Sequence, residues 1–358
     1  MSAEPVFIVA LGASTPVGRD AWASAAAVRA GISGFGEHPY IIDTAGEPIR
    51  IARAPWLEPE LAGAPRMLAL LEPAVEQALA PLANVPPTGL RMALSLGVPA
   101  ERPGVAADLP DFLAAALSQR WRGVFSAVAR FPAGHAAGLL ALEAAWTRLA
   151  QGAFDACVVA GVDSYIDANA LEWLEQCEQL HGAGPLNNAW GFIPGEAAGA
   201  LLLARQSLVQ RLQLPVFGRL LGVGAGFEPK RIKTETVCTG EGLTQAFRSA
   251  LASLPQSHRI SDVYCDMNGE PYRADEFGFA ALRTKEAFES ASDFVAPADC
   301  WGDVAAAGGP LNLVLAAVAG HKSYARGPLA FVWGSAEGGE RAAALLAVET
   351  AQTAGAGH

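Results

Sequence analysis

The 358-residue sequence has no Cys-x-x-Cys pair, no excess of positive charge and no long uninterrupted apolar run. Its five cysteines (Cys157, Cys177, Cys238, Cys265 and Cys300) are odd in number and widely spaced. That pattern supports neither a disulfide framework nor a thiolate zinc site. Buried free thiols are the expectation, with no metal and no cofactor. Lys and Arg number 25 against 36 Asp and Glu, a net charge of −11. Nucleic-acid and anionic-membrane binding both reward clustered cations, so neither is expected. The apolar runs stop well short of the ~20 residues that span a bilayer. The first residues lack a charged-then-apolar leader, which makes a cytoplasmic protein the expectation.

What the chain does have is apolar mass. At 51% hydrophobic and 17% charged residues it can bury a large core. Val6 to Leu11 is a continuous apolar run followed by the turn Gly12-Ala13-Ser14-Thr15-Pro16-Val17-Gly18. This reads as a buried strand, a loop and a helix from about Asp20. Helical periodicity returns over 66–82, and 92–97 is a second buried strand. The Phe131 to Asp163 segment contains a turn, a helix with small residues at its start, and the strand 157–160. Gly191 to Leu203 is a glycine-rich turn feeding a buried strand, with Glu196 among small residues. The order helix, strand, loop, helix, strand then recurs over 242–254, 262–266 and 276–287. Strands alternating with helices in both parts predict α/β layers.

Three of these segments, in order, resemble the β-ketoacyl synthases of the thiolase superfamily. The opening strand and turn resemble that family's first motif, with Arg29-Ala30-Gly31-Ile32-Ser33-Gly34 after it. Gly191-Phe192-Ile193-Pro194-Gly195-Glu196-Ala197-Ala198-Gly199 is similar to the family's glycine hairpin. His135-Ala136-Ala137-Gly138-Leu139-Leu140-Ala141-Leu142 resembles the turn carrying the nucleophilic cysteine, with His135 where the thiol should stand. The resemblance implies an α/β, thiolase-like fold of two pseudo-repeated βαβαβ halves in a five-layer α-β-α-β-α arrangement. The halves would be residues 1–210 and 211–358, meeting in the 205–214 connection.

The resemblance also carries over the reactive positions. The family uses Cys, His and His, a thiolate to hold the acyl chain and two imidazoles to stabilise an enolate. Here those positions read His135, Asn268 and Asp303, and the family's lysine becomes Ala298. A carboxylate at Asp303 would repel an enolate. Ordinary condensation is therefore not expected, and the three positions are expected to be inactive. The expected role is protein binding: a homodimer, or a heterodimer with a ketosynthase-like chain as a chain-length-factor-like subunit. A scaffold or a secretion-effector chaperone or adaptor is open as well, and so is contact with an effector or an acyl carrier protein. The alternative is an acyl-processing enzyme, acyltransferase or thioesterase-like, using His135 with Asp303. Arg120, Arg122 and Arg130 before the central helix would grip a carrier's phosphate or form local ion pairs. His38, His181, His258 and His321 show no ligand spacing, and His358 ends a small-residue tail.

Overall fold

The computed structural model describes residues 4–86, 89–231, 234–255 and 257–349, so His358 lies outside the described residues. The first half runs β1 (Val6–Ser14), α1 (Ala21–Arg29), β2 (Phe35–Ile42), β3 (Pro48–Ala52), α2 (Gly63–Leu79), β4 (Met92–Val98) and α3 (Leu109–Arg120). It continues with β5 (Ala127–Pro132), α4 (Ala137–Ala150), β6 (Ala156–Ser164), α5 (Ala168–Gln176) and β7 (Glu196–Arg205). Helix α6 (Gln206–Leu212) leads into β8 (Gly218–Phe227), α7 (Glu241–Leu251), β9 (Asp262–Tyr264) and α8 (Pro271–Thr284). The chain then forms β10 (Phe294–Val295), α9 (Ala298–Trp301), α10 (Gly308–His321), β11 (Leu329–Ser335) and β12 (Glu340–Val348).

The strand order repeats. The first half is arranged β5-β4-β6-β7-β1 and the second β10-β9-β11-β12-β8. Within either half the last strand runs antiparallel to both neighbours and the inner pairs are parallel. The two sheets are hydrogen-bonded to each other where β1 meets β8, through Phe7 with Arg219 and Ile8 with Gly218. Strands buried on both faces explain the unbroken apolar runs. In β6, Cys157 and Val159 face the central core, while Val158 and Ala160 face the outer core under α2. In β11, Ala330 and Val332 share that central core, while Phe331 and Trp333 face the outer core under α7 and α8. Helices α4 and α10 fill the central layer, giving the five layers that the resemblance implies.

Helix α4 lies where the sequence places it, with Leu139 fully buried and Leu140 half-buried against the central core. Glycine makes the close approach possible. A Cβ at Gly138 would lie 2.2 Å from Pro310 Cδ on α10, and one at Gly161 would lie 2.4 Å from the Ala306 carbonyl oxygen. Gly138→Ala should therefore cost about 1–3 kcal/mol through overpacking, read as a lower urea midpoint at unchanged slope. Helix α8 begins at Pro271, earlier than the periodicity from Glu276 suggests, because proline suits a first helical turn. That places Arg273 on the first turn.

Candidate functional site

His135, Asn268 and Asp303 lie far apart in sequence and on three different loops. His135 sits in the 3₁₀ turn Gly134–Ala136 between β5 and α4. Asn268 follows β9, and Asp303 lies between α9 and α10. The fold brings all three together. His135 Nε2 is 2.9 Å from both carboxylate oxygens of Asp303. Asn268 donates its side-chain amide to Asp303 at 2.6 Å and to Glu270 at 3.0 Å. The backbone N–H of Ala305 completes the set at 2.8 Å, from a non-glycine residue held at φ 31°. Such a backbone conformation is kept only where its surroundings impose it.

The residue that the sequence reading missed is Arg273. Its side chain is fully buried and donates to Asp266 at 3.1 Å and to the Ser335 carbonyl at 2.8 Å. Its Nε lies 3.4 Å from Glu270. The second terminal nitrogen lies 3.1 Å from His135 Nε2 and 3.4 Å from Nδ1. The guanidinium thus lies against both imidazole nitrogens, and nearest to Nε2, the one that meets Asp303. The only sequence signal was an arginine two residues after a proline, which by itself reads as an exposed first turn.

Electrostatics follow from this arrangement. Burial alone would push the Asp303 carboxyl up, but His135, Arg273 and the Asn268 amide outweigh it and hold it well below the usual range. Asp266 moves the other way: burial dominates there, although Arg273 is paired with it. Arg273 itself is pushed higher still, because the neighbouring tyrosine and carboxylates outweigh its burial. Burial also raises the thiols of Cys265 and Cys300, so neither is activated as a nucleophile. For Asp303, a lowered folded pKa gives stability that is complete above the unfolded value of 3.8 and is lost as the pH falls below it. Between about pH 6 and pH 3, the wild type should lose more stability than Asp303→Asn, compared by urea midpoints.

The space around His135 is almost nil. A cavity of about 20 Å³ is lined by His135, Cys265, Asp266, Asn268, Trp301 and Asp303. That volume takes about one water molecule. A separate cavity of about 230 Å³ reaches Asn268 and Asp303 from outside, lined also by His181, Gly191 and Asp299, and stops short of His135.

The fold is that of the thiolase-like ketosynthases. Residues 99–208 match the family model "Beta-ketoacyl synthase, N-terminal domain". A type II polyketide synthase acyl-carrier protein in complex with its ketosynthase bound to the hexaketide is similar over 97% of this chain and 99% of that one. That match has a TM-score of 0.80 at 15% identity. The ishigamide ketosynthase/chain length factor gives a TM-score of 0.77 at 16% identity, over 97% of this chain and 99% of that one. A β-ketoacyl synthase from Burkholderia phymatum STM815 gives 0.74 at 14% identity, over 96% and 99%. No curated protein matches the sequence.

Other ionisable groups pair locally. Arg120 lies 3.2 Å from Glu76, and Arg130 lies 2.6 Å from Asp111. His38 accepts from the N–H groups of Tyr40 and Ile41, and the His321 ring packs at a tilt against Trp22 and Phe217. Glu196, singled out in the sequence, pairs with the buried Arg66 at 2.6 Å and accepts from Ser164. Among the described residues, Glu228, Cys238 and Glu276 have the ligand spacing for a metal. Both of those carboxylates are already engaged, Glu276 with Arg341 at 2.6 Å and Glu228 with the Gly242 N–H at 2.9 Å. No described helix is long and apolar enough to cross a membrane.

Proposed function

We propose that the chain is a non-catalytic ketosynthase-like protein whose role is to bind other proteins. It would act as a chain-length-factor-like subunit, a scaffold, or a chaperone or adaptor for a secreted effector. In this reading His135, Asn268 and Asp303 stand at the family's Cys, His and His positions, and residues 1–210 and 211–358 are its two halves. One observation carries it: the centre at His135 is filled by Arg273 and Asp303, leaving about 20 Å³. An acyl chain needs far more room, since small-molecule pockets run to several hundred Å³. A second reading, an acyltransferase or thioesterase-like enzyme, draws on the 2.9 Å contact between His135 and Asp303. The test is turnover of acyl thioesters by the wild type and by His135→Ala. Turnover lost in the variant, with the fold intact, would establish the enzyme and remove the proposal.

Partners of the kind seen with similar chains, a ketosynthase-like subunit or an acyl carrier protein, belong to the same reading. Strand β5 ends the ordered sheet, so its outer edge has no neighbour within the described residues. An open edge invites strand pairing. We expect a dimer, homo- or heteromeric, formed across this edge and burying more than ~2,000 Å². Sedimentation at micromolar concentration should show the homodimer; a monomer in the absence of a partner would leave only the heterodimer.

A further inference from the structure

A second feature lies on the surface beside the filled centre. A groove of about 670 Å³ runs between the end of α5 and the loop 180–190. Two large apolar side chains on that loop face solvent, Leu186 at 90% and Trp190 at 70% exposure. The loop that carries them is held by its own hydrogen bonds. The Asn188 side-chain amide donates to the Glu178 carbonyl at 2.7 Å, and the Gly182 N–H donates to the Asn188 carbonyl at 2.6 Å. The hairpin turn between β2 and β3 braces the loop from the other side, where Asp43 accepts from the Gly184 N–H at 2.8 Å. Glu172, Glu175 and Glu178 line the same groove, and among its described lining residues none is Lys or Arg. The groove shares Ala189 with the cavity of about 230 Å³ that carries Asp299 and Asp303. An apolar strip edged by carboxylates thus lies beside a second opening, where Asp299 is exposed.

The geometry points to one occupant: an extended, basic segment of a partner protein. Its apolar residue rests against Trp190 and Leu186, and its Lys or Arg side chains face Glu172 and Glu178. A further cation at one end reaches Asp299. Charge complementarity sets the choice, because an acidic partner would meet like charge at Glu172, Glu175 and Glu178 with no cation in the described lining to offset it. A preformed aromatic on a braced loop binds at low ordering cost, and a tryptophan against a cation adds attraction. This inference rests on the protein-binding reading above and names the chemistry of the partner.

The test uses the full chain and a short labelled peptide of Arg, Lys, Leu and Ser, with an acidic control in which Glu replaces each Arg and Lys. Fluorescence anisotropy should show binding of the basic peptide only, weakening as salt screens the pairs. Trp190→Ala should weaken it about tenfold, as should Glu172→Lys combined with Glu178→Lys. All three positions are exposed, so the fold should survive, checked by circular dichroism. A wild-type protein that ignores the basic peptide, or binds both peptides alike, would overturn the assignment. Binding unchanged in both variants would reduce it to general attraction by a chain of charge −11. A self-association lost in Trp190→Ala would make the occupant a second copy and also overturn it. None of these outcomes touches acyl-thioester turnover, which alone decides the non-catalytic reading.

Discussion

Arg273→Leu should lower the unfolding free energy by about 3–5 kcal/mol, the cost of breaking a buried ion pair by removing one partner. Arg273 is 1% exposed and serves Asp266, Glu270, the Ser335 carbonyl and both nitrogens of His135. Leucine keeps the apolar stem but ends short of the guanidinium, so the loss combines the broken pairs with space left beside Asp266 and His135. Asp266, already pushed up by burial, would be driven further toward its neutral form. Glu270 would keep the donors from Asn268 and Tyr272, at 3.0 and 2.6 Å. Arg273→Lys should fall between wild type and leucine, because an ammonium keeps the charge but loses the planar fork. Adding Asp266→Asn to Arg273→Leu should recover part of the loss, and the double-mutant cycle would isolate the pair. Urea unfolding followed by circular dichroism reads all four. A cost below about 1 kcal/mol for Arg273→Leu would mean that the guanidinium does not hold the site together.

The second large effect is on chemistry. His135→Cys should give no condensation and no labelling by acyl thioesters. A thiol there would need donors for the developing oxyanion. Asn268 already spends its amide on Asp303 and Glu270, and Asp303 is held ionised by its neighbours. A carboxylate at that place opposes negative charge instead of stabilising it. Supplying imidazoles as well, through Asn268→His and Asp303→His, should still leave the triple variant silent. Arg273 would remain in the centre, and the open volume of about 20 Å³ would not admit an acyl chain. His135→Ala should cost about 1–3 kcal/mol, through the cavity it opens and the contact that Asp303 loses. Mass spectrometry after incubation with an acyl thioester reads labelling, and calorimetry reads stability. Condensation by His135→Cys alone would show that the site is a ketosynthase centre lacking only its thiol.

Unbroken apolar runs marked the buried strands, and three motifs in order, through their resemblance to the β-ketoacyl synthases, implied the layered architecture. The run at β1 and the small-residue start of α4 each record burial that a sequence displays without any contact being known. His135, Asn268 and Asp303 were legible because the glycine-bearing segments around them are distinctive. Tertiary structure alone decided what surrounds them. Arg273 follows Pro271 and Tyr272 in a stretch with no apolar period, and nothing local tells a guanidinium turned inward from one turned to solvent. Arg66 and Glu196 meet across 130 positions of sequence, and the β2–β3 hairpin follows no pattern strong enough to read. Periodicity records which face of an element is buried. Which charge answers which, and how much space is left between them, depends on distances that exist only once the layers close.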